Sequence, residues 1–598
     1  MSNSNHSIIY QSPADGETYV PAKSSLIIRL EKSAVVGHTA SDFSFLVRGE
    51  TSGTHTGSVY ISDDNATILF EPVQPFALGE RVETTFKILN NESFSPVSYS
   101  FRVTQISDER REEMLQRAFE SLKSDAVPQD IQSDSATFPV MTIDTITPDK
   151  LAPGSIFFTP EGNSVGTKFA FIAIADNTGK PEFSRQILPI GCENFRVWPN
   201  NKLSYFRVDR VLAGGLALEG KTLLMDTEFV VIDSFDCGNG FLSESHEFQL
   251  LPNGHALVIA YDVRDTDMRI VLGDTNALPN VQVIGSIIQE LDLQKKVILQ
   301  WRSWDHFKIT DVTHTNLKNS NIIDYTHLNS VEADIDGNLI ASFRSMDEAT
   351  KINRTNAKTI WRWGGKNNYF TFLGDTLQFS HQHDVRRIAS GNITMWDNGN
   401  NHTSVWGDGS MHDTAFSRAI EYELDESNLT AKAVWEYTDV PFSSAAGNVQ
   451  RLPNGNTFIG LGFVNAPNAM EITPSGEKVF QLSMPIGTFN YRTFRFVFPQ
   501  STSSVGSKSP LADLELESIS PNPASTQITV RLTSADPGNV ILELVDVIGH
   551  SVRLAERQIP AEGVYSMVLD VRSVPEGMYF CRLSQGGKIL IRPVIIRR

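Results

Sequence analysis

One local pattern recurs through the middle of the chain and limits what it can fold into: a strand, a tight Asn-Gly-type turn and a second strand. It reads NFRVWPNNKLSYF from 194, HEFQLLPNGHALVIAYD from 246, NSVEADIDGNLIASFRS from 329, HDVRRIASGNITMWDNG from 383 and GNVQRLPNGNTFIGLGF from 447, with GSIFFTPEGN from 154 as a weaker sixth copy. Each is a β-hairpin signature, because the turn residues tolerate the positive φ that two-residue hairpin loops need. A second hairpin follows most copies, as in INRTNAKTIWRW, IEYELDESNLTAKAVWEY, IIQELDLQKKVILQW and MEITPSGEKVF. Two hairpins make a unit of four antiparallel strands, and six units predict a six-bladed β-propeller over residues 150–500. A solenoid is the competing arrangement, but tight hairpins favour radial closure. The segment YRTFRFVF at 491–498 is placed to pair with the first blade and close the ring.

The flanks read as β-structure too, so the expected fold class is all-β. Residues 1–106 alternate apolar and polar positions in short runs such as SSLIIRL, FSFLVRG and ATILFEP, which predicts an N-terminal immunoglobulin-like β-sandwich. Residues 107–149 form a helical linker in this reading, with Ser107 capping a helix that runs to about residue 123 and sets Met114, Leu115, Ala118, Phe119 and Leu122 on one face. A Ser-rich linker (501–510) precedes a small C-terminal β-sandwich (511–598).

Bulk properties narrow the partners. A formal net charge of −19 disfavours nucleic acid and anionic membrane, so an anionic substrate needs a locally positive pocket. No apolar run is long enough for a spanning helix. The N-terminus, MSNSNHSIIYQSP, lacks a basic start followed by an apolar stretch, so an export signal is expected elsewhere or already removed. Three scattered cysteines, Cys192, Cys237 and Cys581, exclude a zinc finger; Cys192 and Cys237 are either a pair or two free thiols.

Counting back eight residues from each hairpin turn reaches Gly154, Glu193, His246, Asn329, His383 and Gly447, which repeat geometry makes equivalent around the axis. Side-chain direction has period two along a strand, so His327 and His381 are expected to face with Asn329 and His383. Arg344 lies on the returning strand of its hairpin, with Tyr261 and Asn398 at partner positions in neighbouring units. A guanidinium there suits a tetrahedral oxyanion such as sulfate or phosphate.

The segments SHEFQLLPNGHAL, DYTHLNSVEADIDGNLIASFRS, TIWRWGGK and FSHQHDVRRIASGNITMWDNG, in that order, resemble the bacterial arylsulfotransferases and, more closely, the arylsulfotransferase-like family. The resemblance implies a six-bladed propeller with an N-terminal β-domain and transfer of a sulfuryl group from an aryl sulfate donor to a phenolic acceptor, with neither a nucleotide donor nor a cofactor. It implies His383 as nucleophile through a sulfohistidine intermediate, with His246, His327, Asn329 and Arg344 holding and polarising the sulfuryl group. His381, Tyr261 and Asn398 join the substrate-binding set. The tail, through LESISPNPAS, LELVDVIGHSV and VPEGMYFCRLSQGG, resembles the sorting domain of type IX secretion cargo, which implies export across a Gram-negative outer membrane to the cell surface or beyond.

Plainer readings stand beside these. Arg344 has Asp334, Asp336 and Asp384 within sequence reach as ion-pair partners that would merely join blades. Asn329 and His381 are also read as backbone-bonded residues at the channel mouth. His306 and His314 lie in an insertion that would serve as a lid, and Trp301, Trp361, Trp363 and Trp435 are blade packing. Converging imidazoles also permit a metal centre, which an adjacent arginine disfavours. A non-catalytic surface-binding propeller is the third function class, and a homodimer is compatible with all of them.

Overall fold

The structure is a computed structural model describing residues 8–89, 91, 94–121, 138–164, 167–187, 191–198, 201–212, 217–405, 411–413, 415–498, 514–520, 524–534, 537–545, 551–560, 563–585 and 588–597. The Ser-rich segment 501–510 and Leu122 lie outside the described residues. The chain forms two compact units, Met1–Ser501 and Thr502–Arg598.

Two four-stranded antiparallel sheets open the first unit. The strand Arg81–Ile88 shows why they face each other: Val82, Thr84, Phe86 and Ile88 are buried while alternate residues are solvent-facing, the period-two pattern of a half-buried strand. Ile28 and Phe70 from one sheet meet Val47, Phe86 and Phe101 from the other in a shared core.

Helix α1 (Asp108–Ser121) follows, and Ser107 Oγ accepts from Arg110 N at 3.1 Å as its cap. Met114 and Leu115 are buried against Tyr261, Val263 and Ile284, so the helix backs the strand that carries Tyr261. The linker is not purely helical. Its strand Thr142–Ile146 adds an outer edge to Lys478–Ser483.

The repeat folds as successive antiparallel groups of strands, an all-β, propeller-like body. Their first strands are labelled here in chain order: β1 (Gly191–Val197), β2 (Ser243–Leu250), β3 (Leu328–Ala333), β4 (His383–Arg387), β5 (Asn448–Arg451) and β6 (Thr493–Phe496). Each touches the next in order. Arg492, just before β6, reaches Asn194 Oδ1 on β1 at 3.3 Å and completes the circuit.

One sequence expectation is corrected here. The segment from 154 is not a sixth copy of the hairpin, because Ser155–Phe158 pairs with β6 as the second strand of its group. Closure by the far end of the chain therefore replaces Gly154 at the inner position with Tyr491 and Arg492. A smaller shift affects Gly447. Asn448 pairs with Gly460 five residues past the turn glycine, as His383 pairs with Trp396, so Asn448 is the true equivalent of His383.

The C-terminal unit holds a three-stranded and a four-stranded antiparallel sheet around Ile528, Val530, Leu542, Leu544, Leu583 and Val594. All three cysteines are free, which settles Cys192 and Cys237 as unpaired thiols. Among the described residues no helix is long and apolar enough to cross a membrane.

Candidate active site

The inner strands break their own ladders where the polar residues sit. Pairing is irregular between Glu193 and Arg196, Ser243 and Phe248, Leu328 and Ser330, and His383 and Arg386. Bulges of this kind re-aim side chains and are common beside functional sites. Asn194 and Asp384, each following an inner-position residue, take left-handed φ values of 57° and 56°. These kinks free His246 and His383 from strict alternation.

His383 is buried, and its hydrogen bonds fix its tautomer. Asn398 donates its amide to Ser443 O (2.8 Å) and Ala446 O (3.1 Å), so its Oδ1 must accept from His383 Nδ1, at 2.7 Å. Nε2 therefore carries the lone pair, and it accepts from Ala446 N at 3.2 Å. Burial, then the charges of Arg344, His246 and His327, hold His383 well below the ordinary histidine range, so the ring is neutral.

The rings of His246 and His327 lie 5.0 Å apart, and His246 also meets Tyr491 at 5.5 Å. Both imidazoles have carboxylates on Nδ1: Glu244 on His246 at 2.5 Å and Asp324 on His327 at 2.6 Å. Their titration nevertheless diverges. Burial opposes protonation of His246, but the charge and hydrogen bond of Glu244, aided by Glu193, raise it above its usual value. Burial, with the charges of His246 and Arg344, outweighs Asp324 and takes His327 down to about 4. The pair thus sets an imidazole whose protonation is favoured beside one whose protonation is disfavoured.

Arg344 sits one residue past Leu339–Phe343, with its N–H donating to His327 O at 3.0 Å. Its Nε is buried without a hydrogen-bond partner, and Nη2 reaches only Ser444 O, at 3.4 Å. Among the described residues it makes no ion pair. The three carboxylates within sequence reach are taken: Asp334 and Asp336 by Lys351 (2.9 and 2.8 Å), Asp334 also by Arg387 (2.9 Å), and Asp384 by Arg386 (2.9 Å).

Other sequence candidates divide. Tyr261 packs its ring 6.5 Å from both His246 and His327. Asn329 is buried with Nδ2 on Gln382 O at 2.7 Å, while its Oδ1 has no partner. His381 lies just outside a strand. It precedes β4 in a left-handed conformation (φ 56°), and Asp347 takes its N–H (2.7 Å) and contacts Nδ1 (3.1 Å). His314 also reaches Asp347, at 2.9 Å, and so stands at the rim, whereas His306 stacks on Trp301. Among the described residues no group of three or more His, Cys, Asp or Glu is placed to hold a metal ion.

Sequence reasoning missed Glu244, Asp324 and Tyr491. The first two precede their histidines by two and three residues, a spacing visible in ESH and DYTH. Tyr491 meets His383 at 6.5 Å, and its buried hydroxyl has no hydrogen-bond partner among the described residues.

Farther along the inner strands lies a charge network. Arg386 pairs with Glu247, Asp384 (2.9 Å) and Glu332 (3.7 Å), and Arg492 joins Glu247 (3.3 Å) and Asp384 (3.5 Å). Burial pushes Glu332 up to about 7 despite Arg386.

Comparison with known proteins supplies two family matches. The arylsulfotransferase (ASST) model covers residues 168–495, and the secretion system C-terminal sorting domain model covers 518–597. The latter is the type IX export signal, so the protein is exported to the cell surface or secreted. No curated protein matches the chain. Similar solved structures include a protein of unknown function from Bacteroides caccae (12% identity, 57% of this chain and 98% of that one, TM-score 0.35). PorZ, a type-IX secretion component of Porphyromonas gingivalis, is 10% identical over 97% of this chain and 74% of its own (TM-score 0.26). Virginiamycin B lyase from Staphylococcus aureus is 8% identical over 68% and 95% (TM-score 0.25). With the family model spanning more than half of its length, and the imidazoles and Arg344 inside that span, this chain belongs to the arylsulfotransferase family.

Proposed function

We propose that the protein is a nucleotide-independent aryl sulfotransferase that works through a sulfohistidine on His383 Nε2. The observation that carries the reading is a neutral imidazole with a fixed tautomer beside an arginine that has no carboxylate partner. An unpaired buried cation is costly unless an anion completes it, and a sulfuryl group supplies that anion.

The Nε2 lone pair attacks sulfur, an N–S bond forms, and the S–O bond to the aryl group breaks. Approach of the donor displaces the Ala446 N–H from Nε2. Arg344 stabilises charge on the sulfuryl oxygens. His246 gives its proton to the departing phenolate, and its Glu244 partner stabilises the imidazolium before that transfer. In the second half-reaction the acceptor phenol attacks sulfur, the N–S bond breaks, and His246 takes the phenolic proton, restoring both residues.

The chain divides the work accordingly: residues 150–500 carry the chemistry, 1–106 brace it, with 107–149 and 501–510 as connectors, and 511–598 serve export. Intact-mass analysis after addition of donor alone is the test. One sulfuryl adduct on wild type and none on His383→Ala is the expected result; phenol release without an adduct, or normal turnover by His383→Ala, removes the nucleophile. A folded protein that neither binds nor cleaves aryl sulfates leaves the surface-binding reading instead.

A further inference from the structure

On the side of the ring where the inner strands end, a second cavity of about 490 Å³ opens among β1, β4, β5 and β6. That volume lies in the range of small-molecule sites. Its wall is mixed: guanidinium groups of Arg196, Arg386, Arg387 and Arg451 alternate with Leu452, Phe494 and other apolar groups. His383, His246 and Arg344 do not line it.

The four arginines are not equally neutralised. Arg387 is held by Asp334 and Glu426, Arg451 by Glu421, and Arg386 by Glu247 and Asp384. Among the described residues Arg196 has one ion pair, with Glu247 at 3.9 Å, a carboxylate already engaged by Arg386 and Arg492, and the charge of Asp384, which also lines the cavity, reaches it without an ion pair. Its Nε and Nη1 are buried with no hydrogen-bond partner, and Nη1 of Arg386 is likewise without one. Arg196 lies between two aromatic faces, 4.3 Å from Trp198 and 5.0 Å from Phe494. Those rings hold the guanidinium in place and leave its charge only partly compensated. Burial, with the neighbouring Arg386 and Arg492, outweighs Glu247 and Asp384 and brings its pKa down to about 10.

We propose that this cavity is a second binding site, separate from the histidine pocket, for a small organic monoanion: an apolar or aromatic body carrying one sulfonate, sulfate or carboxylate. The anionic group completes Arg196 and the apolar body covers Phe494 and Leu452. Ligands of this kind resemble the donors expected at the histidine pocket, so the site is placed to sense donor or product without reacting with it.

Calorimetric titration with naphthalene-2-sulfonate, which has no ester bond to cleave, tests the proposal. Wild type binds two equivalents, and Arg344→Met, which disables the histidine pocket, retains one. Arg196→Met weakens that retained site at least tenfold. Ala389→Trp fills the cavity without removing a charge and does the same, which covers the case of a poorly folded Arg196 variant. If the histidine pocket binds no sulfonate, wild type and Arg344→Met both show one equivalent, still lost on Arg196→Met, so the two readings fail separately. Unchanged binding in folded Arg196→Met and Ala389→Trp overturns the site, as does loss of all binding in Arg344→Met.

Discussion

Arg344 and Arg386 belong to neighbouring groups of the same ring and have opposite surroundings. Arg386 meets Glu247, Asp384 and Glu332, whereas Arg344 meets a backbone carbonyl at 3.4 Å and no carboxylate. Charge that is fully paired inside a protein ties elements together, and removing one member leaves the others stranded. Charge left unpaired raises the energy of the free protein and lowers it again when an anion arrives. On the proposed mechanism, the two arginines separate the part of the ring that holds the fold from the part that does chemistry.

The sharpest test of that contrast is a matched pair of substitutions. Arg386→Met leaves Glu247 and Asp384 to Arg492 and weakens the network around those two buried carboxylates and Glu332, and is expected to destabilise the propeller by about 3 kcal/mol, read as a fall in the thermal midpoint of purified protein. Arg344→Met strands nothing. It should change stability by no more than about 0.5 kcal/mol yet lower kcat for aryl-sulfate transfer roughly 10²–10³-fold. A large stability loss in Arg344→Met would erase the distinction.

Much of this contrast was legible in sequence and part of it was not. The hairpins from 194, 246, 329, 383 and 447 carry their turn signals locally, and all five pair as antiparallel hairpins. The pairing of the strand after Tyr491 with the first blade was expected, but Tyr491 itself escaped because it lies just before that strand, where no hairpin turn sets an inner position. The contact of His381 with Asp347 escaped because period-two reasoning holds only within a strand, and His381, like His327, precedes one in a left-handed conformation. Whether Arg344 was paired depended on which bases reached Asp334 and Asp384 first. Lys351, Arg387 and Arg386 occupy them, and nothing local in the sequence ranks those competitors.

A finer test concerns the carboxylates that support the imidazoles. Glu244→Gln removes the charge that keeps His246 protonated while leaving an acceptor for Nδ1. The pKa of His246 falls, so the activity limb that requires its proton moves to lower pH. The loss should depend on the leaving group: roughly 10²-fold for donors that release a basic phenolate, and slight for nitrophenyl sulfate, whose phenolate leaves unprotonated. Equal losses across donors would reduce Glu244 to a structural role.

The smallest effect extends the contrast to a third buried charge, where the N-terminal sheets meet the propeller. His255 is 2% exposed and contacts carboxylates through both ring nitrogens, Nδ1 with Glu290 at 2.7 Å and Nε2 with Asp63 at 2.9 Å. Only the imidazolium donates to both at once. Arg354 (2.6 Å) shares Glu290, and Arg29 also acts on that carboxylate. Burial disfavours the imidazolium, but the hydrogen bonds and charges of Glu290 and Asp63 prevail and raise its pKa above the ordinary value. Folding therefore gains from protonation: the contribution is fully present below the unfolded pKa of about 6.5 and disappears as pH rises through the raised folded value. Other groups titrate in the same window, Glu332 among them, so the informative quantity is a difference between proteins. The thermal midpoint of wild type should fall more steeply between mildly acidic and mildly alkaline pH than that of His255→Gln, and parallel profiles would show that pairing at this junction adds no proton-linked stability.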